Sequence, residues 1–312
     1  MIKHAILATD FSKAVSKIIE NSHELKSLGI ERITLVHVLN LRDKIVTEDF
    51  TIESLEKKLL DQKKELERKG FIAESKMLYG LPPSELEKVR KEVEAGLIIV
   101  GSHGLTNNPS VIGNTASELL HNMQSPILLV VLKKIKENET DAINAKNIYQ
   151  YERIMKELKN KEPEWEFYTK NFTKHVLLPT DFSDFSEAAF QWLKNQQVDI
   201  SELTLMHIQD EVKIDKHLKH KLEEFNAIDN ERLNRLSSSF QEKHPETKVN
   251  IVIEYGKPPE KILKFIKDKT INLTLMGSQG RGFISELFLG SVSLSVARHA
   301  DSHVLLVPDP NK

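Results

Sequence analysis

The stretch His175-Val176-Leu177-Leu178-Pro179-Thr180-Asp181-Phe182-Ser183 decides how the chain reads, because it occurs twice: His4-Ala5-Ile6-Leu7-Ala8-Thr9-Asp10-Phe11-Ser12 repeats its pattern near the amino end. An unbroken apolar run that passes straight into helix-opening polar residues describes a strand buried on both faces, followed by a helix. Working outward, Leu35-Val36-His37-Val38 returns as Leu205-Met206-His207-Ile208, and Tyr79-Gly80-Leu81-Pro82-Pro83 as Tyr255-Gly256-Lys257-Pro258-Pro259. Gly101-Ser102-His103-Gly104 returns as Gly277-Ser278-Gln279-Gly280, and Ser125-Pro126-Ile127-Leu128-Leu129-Val130 as Ser302-His303-Val304-Leu305-Leu306-Val307. Landmarks recurring in one order define an internal repeat.

Each unit alternates apolar strands with amphipathic helices. In the second, strands are predicted at 173–179, 202–208, 248–254, 272–276 and 303–307, with helices after Ser183, over 212–243, from Pro258-Pro259 and over 291–300. The first follows the same plan, with strands near 3–8, 32–38, 71–78, 97–100 and 126–131. Such alternation predicts an α/β fold of mostly parallel sheets with helices on both faces. The domains expected are 1–132 and 172–312, joined by 133–171. Within the connector, Ile143, Ile148, Tyr151, Ile154, Met155 and Leu158 recur on roughly one face, which predicts a helix covering a domain surface.

The chemistry concentrates after the fourth strand of the second unit, in Gly277-Ser278-Gln279-Gly280-Arg281-Gly282; nine residues separate Gly280 from Gly290, and Ser291 opens a helix. Phosphate oxygens require several backbone N–H donors converging on a small volume, where side chains would obstruct them. A helix amino terminus adds unpaired N–H groups and a favourable dipole. Ser291 and Ser293 can add hydroxyl donors and Arg281 a positive charge. Glycines after a strand also serve as plain turn formers, but here a second Gly-Ser stands at a helix mouth beyond a parallel strand, where open α/β sheets bind ligands. The spacing is neither a P-loop nor a dinucleotide fingerprint. On the same rim, Asp181 has two readings, as a cap of the next helix or as an acceptor for a ribose, a base or a hydrated metal; Ser183 could take over the capping. Ile208 can offer backbone groups and an apolar contact to adenine. His37 and His207 lie inside apolar strands and read as packed structural histidines. No His/Asp spacing marks a metal site, and no constellation is singled out as catalytic.

Composition bounds the alternatives. The 44 basic and 46 acidic residues, a net charge of -2, give no general drive towards nucleic acid or anionic membranes. The absence of cysteine excludes disulfides, thiol catalysis and thiolate metal sites. Met1–Ala8 is too short an apolar run for a secretory signal, and no apolar segment reaches the ~18 residues of a membrane span, so a soluble cytoplasmic protein is expected.

On these motifs the chain resembles the universal stress protein family, in the tandem form with two such domains in one polypeptide. Gly277, Gly280, Gly290 and Ser291 match the Gly-x2-Gly-x9-Gly-Ser/Thr pattern of its nucleotide-binding branch, and Pro179–Ser183 is similar to that branch's opening. The resemblance covers roughly 1–132 and 172–308. It implies two Rossmann-like, adenine-nucleotide-alpha-hydrolase-like units, each an open parallel five-stranded sheet of order 3-2-1-4-5. It also implies ATP as ligand, with Mg2+ or Mn2+. Carried over, Pro179, Asp181 and Ile208 would surround the adenosine. Gly277, Gly280, Arg281, Gly290, Ser291, Val292 and Ser293 would surround the phosphates. Gln279 stands where many relatives have histidine. The first unit departs from the pattern: Gly104 and Gly113 enclose eight residues, Asn114 replaces Ser/Thr, Pro109 removes a donor and Ala8 replaces Pro179. It is expected to bind nucleotide weakly or not at all. The resemblance further implies an internal pseudo-dimer through Ile127–Val131 and Val304–Val307, and, as in many relatives, a homodimer of whole chains. Three functions follow: an ATP-binding regulator of stress adaptation acting through conformation or a protein partner, a very slow ATP-hydrolysing enzyme, and a nucleotide-free scaffold or chaperone-like module.

Overall fold

The computed structural model describes residues 2–39, 51–102, 113–121, 123–134, 165–210, 222–280 and 289–308. In the first half the chain forms β1 (His4–Ala8), α1 (Lys13–Glu20), a 3-10 turn (Ser22–Leu28), β2 (Arg32–Leu39), α2 (Ile52–Arg68), β3 (Ile72–Tyr79), α3 (Pro82–Glu92), β4 (Leu97–Gly101), α4 (Asn114–His121) and β5 (Ile127–Val130). The short strands β6 (Leu132–Lys134) and β7 (Trp165–Phe167) then pair antiparallel. The second half forms β8 (His175–Thr180), α5 (Asp184–Lys194), β9 (Glu202–Asp210), α6 (Leu222–Gln241), β10 (Lys248–Gly256), α7 (Pro258–Lys269), β11 (Leu273–Gly277), α8 (Ser291–His299) and β12 (His303–Val307). The described ends of the connector are thus strands. Its proposed helical stripe, from Ile143 to Leu158, lies outside the described residues, as does the predicted start of the long helix at 212.

The repeat extends to individual hydrogen bonds. Ser12 and Ser183 cap α1 and α5, their hydroxyls accepting from Val15 and Ser186 N–H. The rings of His4 and His175 bond Thr34 and Thr204 hydroxyls at 2.9 and 2.8 Å. Phe11 and Phe182 turn out of their strands with φ of 60° and 58°.

Within each half the strand order is the expected 3-2-1-4-5, β3-β2-β1-β4-β5 and β10-β9-β8-β11-β12. The expectation of two separate sheets is corrected: β5 and β12 pair antiparallel, Val304 opposite Leu129 and Leu306 opposite Ile127, and fuse the halves into one ten-stranded sheet. The reason is chemical. An apolar edge strand has a row of unpaired N–H and C=O groups, and another such strand satisfies them. Leu128, Leu129, Val304, Leu305 and Leu306 are wholly buried at the seam, each side chain contributing about 1.5–3 kcal/mol. Continuous apolar layers cover both faces of the fused sheet. Because the seam is antiparallel, the carboxyl edges of the two halves face opposite ways.

A buried histidine fastens the seam. His303 Nε2–H donates to Thr169 O at 2.9 Å, and its Nδ1 accepts Val131 N–H at 3.0 Å, while Phe172 stacks on the ring at 4.2 Å. Burial pushes this imidazole down to about 4, against the hydrogen bond to Thr169, which favours protonation. The unfolded chain takes up the proton near pH 6.5, whereas the folded chain resists it until about pH 4. Stability therefore falls as pH drops through that window, by on the order of 3 kcal/mol from this group. Burial lowers His4 and His175 as well, in the same sense. Denaturant unfolding measured between pH 7 and pH 4 should show this decline, and His303→Gln should flatten much of it.

Candidate functional site

In the order 3-2-1-4-5 the strand order reverses between the parallel strands β8 and β11, and a crevice is expected beyond their carboxyl ends. The strands pair only at Val176 and Leu177 against Leu273 and Thr274, although both run three residues further. The first half makes one more pair, Leu7 with Ile99. Ala8 stands there at the place of Pro179, and proline's missing N–H accounts for the earlier separation.

The crevice opens into a cleft of about 620 Å³, within the range of small-molecule sites. Nine residues singled out from the sequence line it: Pro179 and Asp181 at the end of β8, Ile208 in β9, Gly277 closing β11 and Gly280 beyond it, and Gly290, Ser291, Val292 and Ser293 at the start of α8. Arg281 lies outside the described residues. Ile262 and Met276 join Ile208 in an apolar patch on one side of the sheet edge. Opposite it, α6 contributes Phe225, Ile228, Asp229 and Arg232, four residues spaced along one helix face.

Local bonding refines the expected roles. Asp181 Oδ1 accepts the Ser183 N–H at 3.1 Å and its hydroxyl at 2.5 Å, so Ser183 caps α5 while Asp181 braces the turn. Asp10 makes the same backbone bond in the first half, at 2.9 Å, so bracing is common to both units. Asp181 Oδ2 faces the glycine loop, since a Cβ built on Gly280 would lie 2.8 Å from it. At α8, Gly290 N–H bonds Ser278 O at 2.8 Å, and the N–H groups of Ser291, Val292 and Ser293 have no partner within the helix. Ser293's hydroxyl donates to Gly277 O at 2.9 Å and ties β11 to α8, which leaves Ser291, the exposed one, as the hydroxyl donor of the two. His207 Nδ1–H donates to Thr180 O at 2.7 Å, as His37 does to Thr9 O at 2.7 Å, in keeping with a structural role; yet His207 also lines the cleft.

Sequence reading missed the α6 wall and Gln209. The available signal was Asp229, which interrupts a buried stripe that continues through Leu233 and Phe240. Among the described residues, no group of three His, Asp or Glu side chains could hold a metal ion, and no helix is long and apolar enough to cross a membrane.

A duplicated parallel α/β unit with a glycine loop and a helix amino terminus at its switch point is the class that fold and cleft define. The sequence profile of the Universal stress protein family matches residues 1–131 and 173–308, and the chain belongs to that family. It is 31% identical over 159 residues to universal stress protein MJ0577 of Methanocaldococcus jannaschii, covering 44% of this chain and 96% of that protein. With a universal stress protein of Mycolicibacterium smegmatis it shares 26% identity over 219 residues, covering 68% of this chain and 62% of the other. The crystal structure of a universal stress protein from Archaeoglobus fulgidus superposes with a TM-score of 0.63 over 99% of both chains at 22% identity, a likeness of fold.

The loop glycines answer to different neighbours. A Cβ on Gly277 would lie 2.4 Å from the backbone oxygen of Phe185 at the start of α5, where nothing can yield. Gly277→Ala should therefore cost about 1–3 kcal/mol of stability. Among the described residues a Cβ on Gly280 meets the Asp181 carboxylate, and Gly280→Ala should cost less than about 1 kcal/mol. Denaturant titration of both variants checks the difference.

Proposed function

We propose that the second unit binds an adenine nucleotide, ATP first among them, and that occupancy of its cleft regulates the protein's conformation or its engagement of a partner. The observation that carries this reading is the convergence of nine residues, chosen by spacing and resemblance, on one cleft that joins an apolar patch to a helix amino terminus. Adenine would lie against Ile208, Ile262 and Met276, and the phosphates against Gly280, Gly290 and the N–H groups of Ser291, Val292 and Ser293, which have no partner within α8. Mg2+ or Mn2+ would neutralise phosphate charge and draw most of its ligands from phosphate oxygens and water, with Asp181 the carboxylate facing the loop. A nucleotide bridging β8, β9, β11 and α8 binds best when these elements are drawn together. Its presence then biases the conformational equilibrium, which suffices for regulation without turnover. The first unit, one residue short in its loop and with Asn114 for Ser291, is assigned a structural role.

Calorimetry with ATP and Mg2+ tests this. Wild type should bind one equivalent per chain, Gly290→Val should lose at least about tenfold in affinity as its Cβ crowds the Gln279 backbone at 3.2 Å, and Gly113→Val should bind as wild type. No binding by wild type overturns the reading. Phosphate release followed over hours separates a binding protein from an ATP-hydrolysing one.

A further inference from the structure

The two units differ at one wall of the cleft in a way that the glycine loop does not explain. The spacing of buried residues on α2, Leu55, Leu59 and Leu66, reappears on α6 as Asp229, Leu233 and Phe240. Register along β2 and β9 likewise sets Gln209 at the place of Leu39, and the α1 and α5 caps set Ser186 at the place of Val15. Three aliphatic positions of the first unit are thus polar in the second. All three polar side chains are buried, Ser186 at 5%, Gln209 at 5% and Asp229 at 8% exposure, and all three line the cleft. Burial of polar groups is unfavourable unless their hydrogen bonds are met, and burial of a carboxylate most of all.

Ser186 is met, accepting from Thr180 Oγ1 at 3.0 Å and donating to Ser183 O at 2.9 Å. Asp229 is not. Its carboxylate offers about four acceptor positions. Among the described residues it takes one hydrogen bond, from Gln209 Nε2 to Oδ2 at 3.0 Å. His207 Nε2 stands 3.5 Å from Oδ2, at the outer limit of hydrogen-bond reach, while its Nδ1 pairs with Thr180 O at 2.7 Å. Arg232, held over the Phe182 ring at 5.2 Å, leaves its guanidinium 3.9 Å from Oδ1, beyond hydrogen-bond reach. Among the described residues, a buried carboxylate braced on one side by a carboxamide therefore faces the cleft with acceptor positions unused.

We infer that Asp229, positioned by Gln209, is a specificity-determining residue that accepts a hydrogen bond from the nucleoside part of the ligand. This rests on the nucleotide reading above and adds to it. The donor is an N–H or O–H group; a nucleotide offers an exocyclic amine on the base and hydroxyls on the ribose. A ligand that presents an acceptor there sets it against a buried carboxylate that cannot donate to it, and the repulsion penalises it.

The test compares ATP, inosine triphosphate (an oxo group in place of the amine) and 2′-deoxyATP on wild type, Asp229→Leu and Gln209→Leu, the leucines being those of the first unit. Wild type should prefer ATP over at least one analogue by about tenfold or more, and the analogue that is disfavoured identifies the donor. Asp229→Leu should reduce that preference to below about twofold while melting no lower than wild type, since leucine packs at the equivalent helix position. Gln209→Leu should weaken the preference in part. An unchanged preference in Asp229→Leu, or equal binding of all three nucleotides by wild type, overturns the inference and leaves nucleotide binding standing. A lower melting temperature with equal loss for all three nucleotides also overturns it, by making Asp229 structural. Failure of wild type to bind any of them overturns the nucleotide reading itself.

Discussion

Antiparallel pairing between β5 and β12 is the contact on which the rest of the molecule depends. Each half is an open parallel sheet, and such a sheet ends in an apolar strand whose backbone groups need partners. In this chain the partner is the other half's equivalent strand, tied to it by a covalent connector that keeps the two at high effective concentration. The seam places wholly buried leucines and valines on both faces of the sheet, so the two halves share continuous cores. His303 secures it with bonds to Val131 and Thr169, which belong to the first half and to the end of the connector.

The same antiparallel geometry separates the ligand edges. The carboxyl ends of the two halves point in opposite directions, so neither unit completes the other's crevice through the sheet. Each edge can change without disturbing its counterpart. The substitutions follow that freedom: the first half keeps the turn-bracing Asp10 and the paired His37 and Phe11, while Ala8, Leu39 and Leu55 make its rim tighter and more apolar. In the second half the strands part three residues early, and Gln209 and Asp229 make the opposite wall polar.

The loop glycines show how one motif serves two physical demands. Gly277 is required by the backbone of Phe185, whose oxygen lies 2.4 Å from where any Cβ would stand, and so belongs to the packing of α5 on β11. Gly280 leaves room for Asp181, and Gly290 lets the chain enter α8 against Gln279. A spacing that reads as a phosphate cradle is thus also a record of close approaches within the protein.

Strand positions, helix starts at Ser12, Ser183 and the Pro-Pro pairs, and the strand order implied by resemblance were legible in the chain, because apolar runs, caps and prolines act within a few residues. So was the convergence of segments ending at Asp181, Ile208 and Gly280, since a parallel sheet brings its carboxyl ends to one edge. The fusion into one sheet required knowing which edges meet. The α6 wall required knowing which helix face covers the crevice, a matter of packing across distant segments. Sequence by itself determined the duplicated α/β unit and the loss of glycine-loop spacing in the first copy. Tertiary structure alone decided that ten strands join, that β8 and β11 part beyond Leu177, and that Asp229 turns a buried carboxylate toward the cleft. Those outcomes depend on contacts between residues far apart in the chain, whose energies no local pattern records.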